Sequence, residues 1–527
     1  MTQSPSNPLQ SRRDGLLLAI LFLAAFLRFY NISHSSLWMD EIWSIEIASG
    51  RGHQHDQLPT GLIRWDQVDL TRLTDAPGWT HVWSAAADYT YPPLYPLLLR
   101  AWMEIFGNSP TAIRFLSAIF SIATVAVFFD LCKQLHGRRI AFLAAAVMTL
   151  AGAQLDAAQE ARCYAMLIFL AISAAAAIVR IEKLGPTPRR LVALFTFLLL
   201  GLLTHYLLAG VAVALIVYVL LRFDCKRRRR ALAAILAAGV LFAALWGPSL
   251  LRQTRLLPGG TPAFLQESQP DRHLELTLRR VAGLTAEYLA GEPAADKIFA
   301  QQSSTDQLLT IFFLFLSIIT LLAPIARLRR RKDFLLWALW TAGTVGLIAA
   351  ADLFKSTTMS GYIRYTILAS PCAYAILAAW DWPPRKILRD SLACIVIALL
   401  AMLTFQRLIL PPQPKENWKQ AAAQFDSVAG KNDLIVFFNQ DPWVAPGIWY
   451  MSLHYYLPDS NRPWLLLQNA PDQTASSQIE SRNSFWLVGV HTDATTQFLF
   501  PGWQIRRIIS ISSQTTICQL VKVSPAL

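Results

Sequence analysis

The 527-residue sequence is short of charge. Asp, Glu, Lys and Arg make up 15% of it and hydrophobic residues 54%, against roughly 25% charged in soluble domains. That excludes a string of soluble domains, which length alone would permit. Cysteine is sparse and unpatterned: Cys132, Cys163, Cys225, Cys372, Cys394 and Cys518 form no CxxC spacing and have no histidine in register. A zinc module or disulfide framework built on them is therefore disfavoured. Residues 16–29 are apolar but lack a small-residue cleavage site, and many similar runs follow, so they read as a retained first helix. Internal repeats and mid-span ionisable clusters are also missing, which disfavours a transporter built from two related halves.

What is present is apolar runs of about 18–20 residues, the length a helix needs to cross the hydrocarbon of a bilayer. Eleven cores fit: 14–31, 111–131, 139–156, 163–180, 190–206, 207–222, 231–248, 307–326, 334–353, 363–381 and 391–410. The formal charge of +13 invites nucleic acid, but its placement argues otherwise. Basic residues sit between the runs: Arg12 and Arg13, Lys133 with Arg138 and Arg139, then the segments 180–190, 226–230, 327–332 and 385–389. All six fall on one side of the predicted topology, as the positive-inside rule requires of cytoplasmic loops. The expectation is a cytoplasmic N-terminus in a bacterial inner membrane, no nucleic-acid partner, and two long outer loops, 32–110 and 249–306. Residues 1–410 form the membrane module. The tail, 411–527, changes character, with strand-like runs at 434–438, 464–467 and 485–490 and a helical stretch at 418–428, parted by polar segments. It reads as a small soluble α/β domain on the outer face.

Candidate chemistry lies at the outer ends of the spans. Asp40 and Glu41 sit between Trp38 and Trp43 just after the first run. A carboxylate at the water–lipid boundary can serve as a general base, and an aromatic belt with two solvated acids is the plainer alternative. Gln159-Glu160-Ala161-Arg162-Cys163-Tyr164, with Asp156 one turn earlier, places acid and base at the mouth of the bundle; a simple loop ion pair would look the same. Arg364 between Tyr362 and Tyr365 suits a phosphate, because a guanidinium forks onto its oxygens; snorkelling to headgroups competes. Weaker candidates are Tyr91-Pro92-Pro93-Leu94-Tyr95, which opens an apolar, interfacial helix running to Phe106, then Arg114, and His205-Tyr206. A lone His at a helix end is more often a satisfied polar group than a ligand.

In this order and spacing, over about residues 14–410, the chain resembles multi-spanning glycosyltransferases of the GT-C fold, more narrowly the glycosyltransferase family 39 type. That type includes protein O-mannosyltransferase-like and aminoarabinose-transferase-like enzymes. The resemblance implies an α-helical polytopic membrane protein of about 11 spans that takes a sugar from a polyprenyl-phosphate donor. It implies Asp40 as the base that deprotonates or orients the acceptor hydroxyl, with Glu41 supporting. Glu160 would shape the site and in some members bind a divalent cation; the metal ligands themselves stay open. Arg162 and Arg364, with Tyr365, Tyr91 and His205 alongside, would hold the donor. The family often has His where this chain has Tyr91, which weakens metal or phosphate contact there.

The expected reaction is transfer to a hydroxyl on a glycan, lipid or protein acceptor at the outer face, by single displacement with inversion. Loop 249–306, with Gly259 and Gly260, is the expected lid. A lipid-linked sugar flippase and a non-catalytic scaffold are the alternatives, the latter on the strength of Trp443, Trp449 and Trp464 as exposed tail residues.

Overall fold

The structure is a computed structural model that describes residues 8–59, 61–64, 69–88, 92–256, 265–266, 270–291, 307–308, 311–312, 314–320, 332–380, 385–438, 445–458, 460–467, 471, 473–490, 499–512 and 515–523. The chain divides into two compact units, Met1–Ile32 with Arg114–Pro412, and Ser33–Ile113 with Gln413–Leu527.

The first unit is helical. It contains α1 (Pro8–Phe29), and the second unit contributes α2 (Met39–Ala48), α3 (Trp79–Ala87) and α4 (Leu94–Phe106) before the chain returns to it. There follow α5 (Pro110–His136), α6 (Arg138–Leu150), α7 (Gly152–Ala158), α8 (Tyr164–Leu184), α9 (Pro188–Leu202), α10 (Leu208–Arg222), α11 (Cys225–Leu256) and α12 (His273–Ala290). The unit closes with α13 (Lys332–Lys355), α14 (Ile363–Ala378) and α15 (Lys386–Ile409). Among the described residues α5, α8, α11, α13 and α15 are each long and apolar enough to cross a membrane. The pair α6 and α7 meets the same length and apolarity only when taken together across a 59° bend, while α10 and α14 are shorter apolar helices. Ten of the eleven expected cores fall on described helices; of the other, 307–326, only parts are described.

The bend shows why a charge sits inside the bundle. Turning at Ala151 strips the last carbonyls of α6 of their helical partners, and in hydrocarbon each must be satisfied internally. Arg28, fully buried in α1, supplies the donors: Nη2 to Met148 O (3.4 Å), Nη1 to Thr149 O (3.4 Å) and Nε to Ser121 Oγ (2.7 Å). Thr404 Oγ1 donates to Leu150 O (3.0 Å). Elsewhere α13 is interrupted by a π turn at Ala342–Gly346, where backbones nearly touch: a Cβ on Gly210 of α10 would lie 2.1 Å from Gly343 O. Only small residues permit such an approach between membrane helices.

The second unit carries a six-stranded sheet: β1 (Gly61–Arg64), β2 (Leu434–Phe438), β3 (Pro463–Leu467), β4 (Ser484–Val490), β5 (Trp503–Ser510) and β6 (Thr515–Lys522), in the order β1-β3-β2-β4-β6-β5. Strands β3, β2 and β4 are parallel and the rest pair antiparallel. Strand β2 is buried at all five positions, as expected of a central parallel strand covered on both faces. Helices α16 (Trp418–Val428), α17 (Gly447–Tyr456) and α18 (Gln473–Glu480) complete the unit. The strand-like runs and the helical stretch read from the tail coincide with β2, β3, β4 and α16. The difference lies in the first outer loop, assigned above to the membrane module: its β1 adds an edge strand to the tail's sheet, Gly61 opposite Leu466 and Arg64 opposite Pro463. One expectation is corrected. Trp449 and Trp464 are 4% and 0% exposed, because α17 packs its rings on the sheet, with Tyr450 and Trp464 ring centroids 3.8 Å apart. Trp443 lies outside the described residues.

Candidate active site

Within the second unit, Asp40 occupies the first turn of α2 and is 8% exposed. An acid in a first turn is favoured by the helix dipole. Glu41 is wholly buried, and its carboxylate accepts the backbone N–H of Trp38 (3.4 Å), the reach-back of a capping box. Ser44 Oγ donates to Asp40 O (2.8 Å) and fastens the turn from below.

The strand of chain leading into α2 is held by residues of the tail that sequence reasoning passed over. Lys419 N donates to Ser36 Oγ (3.1 Å), Leu37 N to Tyr456 OH (2.7 Å) and Met39 N to Glu416 Oε2 (2.8 Å). Trp418 Nε1 donates to the same Glu416 oxygen (2.8 Å), and the Lys415 ammonium stands 4.1 Å from the Trp38 ring centroid. Nothing at Lys415 or Glu416 marks them in the sequence, since each is an ordinary residue 377 positions from its partner in the first outer loop.

Burial pushes the Glu416 carboxyl up to about 7; its hydrogen bonds from Trp418 and Met39 oppose the rise, and the neighbouring Asp40 charge adds to it. The raised value fixes a sign. Below the unfolded value of 4.5 the group is protonated in both states and burial costs nothing. Between 4.5 and about 7 the unfolded chain releases the proton first, so this unit loses stability as pH rises, up to about 3 kcal/mol. Glu416→Gln keeps one accepting oxygen and removes the titration. Its melting temperature relative to wild type is therefore expected to climb between pH 5 and 7 and then level; parallel melting curves across that range would refute the assignment.

In the first unit, Glu160 and Arg162 lie on the short connection after α7. Gln159 Nε2 donates to the carbonyls of Leu27 (3.3 Å), Arg28 (3.3 Å) and Tyr30 (3.0 Å), satisfying the end of α1. Ser117 Oγ donates to Arg162 O (3.3 Å). The Arg162 guanidinium lies 5.9 Å from the Tyr164 ring, whose centroid is 6.2 Å from that of His205. His205 Nδ1 accepts the N–H of Leu207 (3.1 Å), so this ring also braces the turn between α9 and α10. Asp156 is engaged in an ion pair with Arg407 of α15, and Arg114 Nη1 donates to Ile32 O (2.9 Å).

Arg364 sits over two rings, 5.2 Å from the centroid of Tyr362 and 5.3 Å from that of Tyr365. The turn before it is tied by buried Asp352, which accepts from Met359 N (2.8 Å) and Ser360 N (2.8 Å). A second guanidinium, unmarked in the sequence reading, shares this corner: Arg280 of α12 lays its stem on Gly361, its Nε 3.4 Å from where a Cβ would be. Tyr91, Gly259 and Gly260 lie outside the described residues; the described part of loop 249–306 includes α12.

The profile of the dolichyl-phosphate-mannose-protein mannosyltransferase family matches residues 90–251. No curated protein matches the chain by sequence. The structure resembles ArnT from Cupriavidus metallidurans in the apo state (TM-score 0.55, 14% identity, covering 97% of this chain and 98% of that one). It also resembles ArnT of the same organism bound to undecaprenyl phosphate (0.52, 13%, 96% and 97%). A third likeness is to the archaeal oligosaccharyltransferase AglB from Archaeoglobus fulgidus in complex with an inhibitory peptide and a dolichol-phosphate (0.51, 12%, 94% and 71%). At such identities the likeness establishes the fold, which is GT-C. The family profile lies over the part of that fold from α4 to α11.

Proposed function

We propose that this enzyme transfers a sugar from a polyprenyl-phosphate carrier to an acceptor hydroxyl at the outer face of a bacterial inner membrane, with Asp40 as the general base. The observation that carries the reading is the setting of Asp40: a nearly buried carboxylate at a helix start, its approach strand fixed by hydrogen bonds at Ser36, Leu37 and Met39. A base acts through its positioning, and these three hydrogen bonds supply it. The undecaprenyl phosphate and dolichol-phosphate of the ArnT and AglB structures support the donor class. The basic loops support a cytoplasmic N-terminus and an outer tail.

Chemically, the leaving group is a phosphate monoester, already anionic, so the site needs a base for the acceptor and positive charge for the departing oxygens. Arg364 supplies that charge and Arg162 assists; Arg280 stands where it can share the load. The tyrosines beside Arg364 hold its plane by cation–π contact. Glu41 supports Asp40 by fixing the helix start, and Glu160 shapes the mouth of the bundle. The resemblance implies a divalent cation at Glu160 for some members. Among the described residues Glu160 belongs to no group of three His, Cys, Asp or Glu side chains with converging ligand atoms.

The test is transfer of radiolabelled sugar from a panel of polyprenyl-phosphate donors by membranes containing the full chain. Turnover that consumes donor is expected; relocation of intact donor would instead establish the flippase reading. Arg364→Lys keeps the charge but loses the fork. It is expected to lower kcat/KM for the donor roughly 10- to 100-fold, the worth of one charged hydrogen bond. An unchanged value would remove Arg364 from the donor site.

A further inference from the structure

The second unit also holds a cluster that the transfer chemistry does not use. We infer that His53, His55 and Asp56 form a binding site for a borderline transition-metal ion of the Zn²⁺ type, with Glu46 orienting His55 from behind. The site stands whether or not Asp40 is the base.

The geometry begins in the local sequence. Gly50 and Gly52 take positive φ (+82° and +68°) and turn the chain out of α2. Residues Gln54–Gln57 then form a single 3-10 turn, in which positions i and i+3 eclipse. That superposes Asp56 on His53 and leaves His55 beside them. The Asp56 carboxylate spans both rings, with Oδ2 3.0 Å from His53 Nδ1 and Oδ1 3.2 Å from His55 Nε2. All three potential ligand atoms lie within 4.8 Å of one another. A tetrahedral ion with bonds of about 2.0–2.1 Å separates its ligand atoms by about 3.3 Å, so little movement would seat one.

Three further features favour a site over a chance pairing. First, Glu46, wholly buried, accepts the His55 backbone N–H (2.9 Å) and meets His55 Nδ1 at 2.6 Å. A carboxylate on one imidazole nitrogen puts the proton there and turns the other, Nε2, into a ligand atom; metal-bound histidines nearly always have such a partner. Second, the turn is rigidly backed: a Cβ on Gly447 would stand 1.9 Å from His55 O, so α17 presses directly on the peptide. Trp43 meets both imidazoles edge-on, at 5.4 and 5.3 Å. Third, exposure is graded, with His55 4% exposed, His53 26% and Asp56 43%, which leaves an open side for a water as fourth ligand. Two imidazoles and one carboxylate suit Zn²⁺ rather than Mg²⁺ or Ca²⁺, which take all-oxygen shells. Bound there, the ion would lock the segment leaving α2, the helix whose first turn carries Asp40.

The experiment uses the full-length chain in detergent, without a histidine tag and stripped by a chelator. It is titrated with Zn²⁺ against a chromophoric competitor, and with Co²⁺ read by its visible ligand-field absorption. One ion per chain is expected, with a four- or five-coordinate Co²⁺ spectrum. Asp56→Asn should weaken binding at least about 10-fold, with the melting temperature of the stripped variant measured beside it to separate lost affinity from lost fold. Glu46→Gln should weaken it about 10- to 100-fold. His81→Ala, an exposed histidine on α3, should bind as wild type. If the wild type takes up no ion, or if Asp56→Asn and His53→Ala bind with unchanged stoichiometry and affinity, the site does not exist and the cluster is an ordinary His–Asp network.

Discussion

Asp40→Asn is expected to lower kcat for sugar transfer by about 10²- to 10⁴-fold, the usual contribution of a positioned general base, while leaving the protein folded. The substitution is isosteric, and the amide can still accept a hydrogen bond at the start of α2. The favourable dipole interaction it forfeits is worth only about 0.3–1 kcal/mol. Activity and stability should therefore separate, and that separation is the informative readout. Transfer measured with saturating donor, beside melting of the purified variant, checks both. Glu41→Gln gives the contrast. Its carboxylate caps Trp38 N–H from a fully buried position, so it should cost about 1 kcal/mol of stability and far less than 10² in rate. If Asp40→Asn transfers as fast as wild type, the base is another carboxylate, and Glu41 and Glu160 are the next to test.

Arg28→Met is expected to damage the fold itself, lowering stability by about 3 kcal/mol or more. Methionine fills similar volume but offers no donor to Met148 O or Thr149 O, which the bend between α6 and α7 has freed. Each carbonyl left unsatisfied in an apolar interior costs about 1–3 kcal/mol, and water is not at hand to replace the guanidinium. Arg28→Lys should fall between, because one ammonium cannot serve Ser121 and both carbonyls in a plane. Fluorescence-detected gel filtration after heating would show the order: wild type, then Lys, then Met. A Met variant that survives as wild type would mean the α6–α7 carbonyls have other partners.

The helices were legible because hydropathy is a property of each segment by itself. A run of apolar residues must be helical in lipid whatever its neighbours do, and so ten of the eleven expected cores lie on described helices. The tail's strands were legible for a related reason: 434–438 and 485–490 are rich in β-branched and aromatic residues. Arg364 between two tyrosines could be read as a unit because its partners are adjacent in sequence. Trp449 and Trp464 misled because aromatic residues in a polar tail can face water or a core, and sequence alone does not say which.

The sequence by itself determined that this is a polytopic membrane protein with a small α/β appendage, and which acids and arginines lie at span ends. Only the tertiary structure decided that 61–64 joins the tail's sheet, that Glu416, Lys419 and Tyr456 hold the strand before Asp40, that Arg280 shares a corner with Arg364, and that Glu46 backs His55. Each of the first three pairs residues tens to hundreds of positions apart, and such a pairing leaves no periodicity in the chain. Hydrophobic burial favours many ways of bringing distant segments together; the hydrogen bonds that distinguish them exist only once one packing has been chosen.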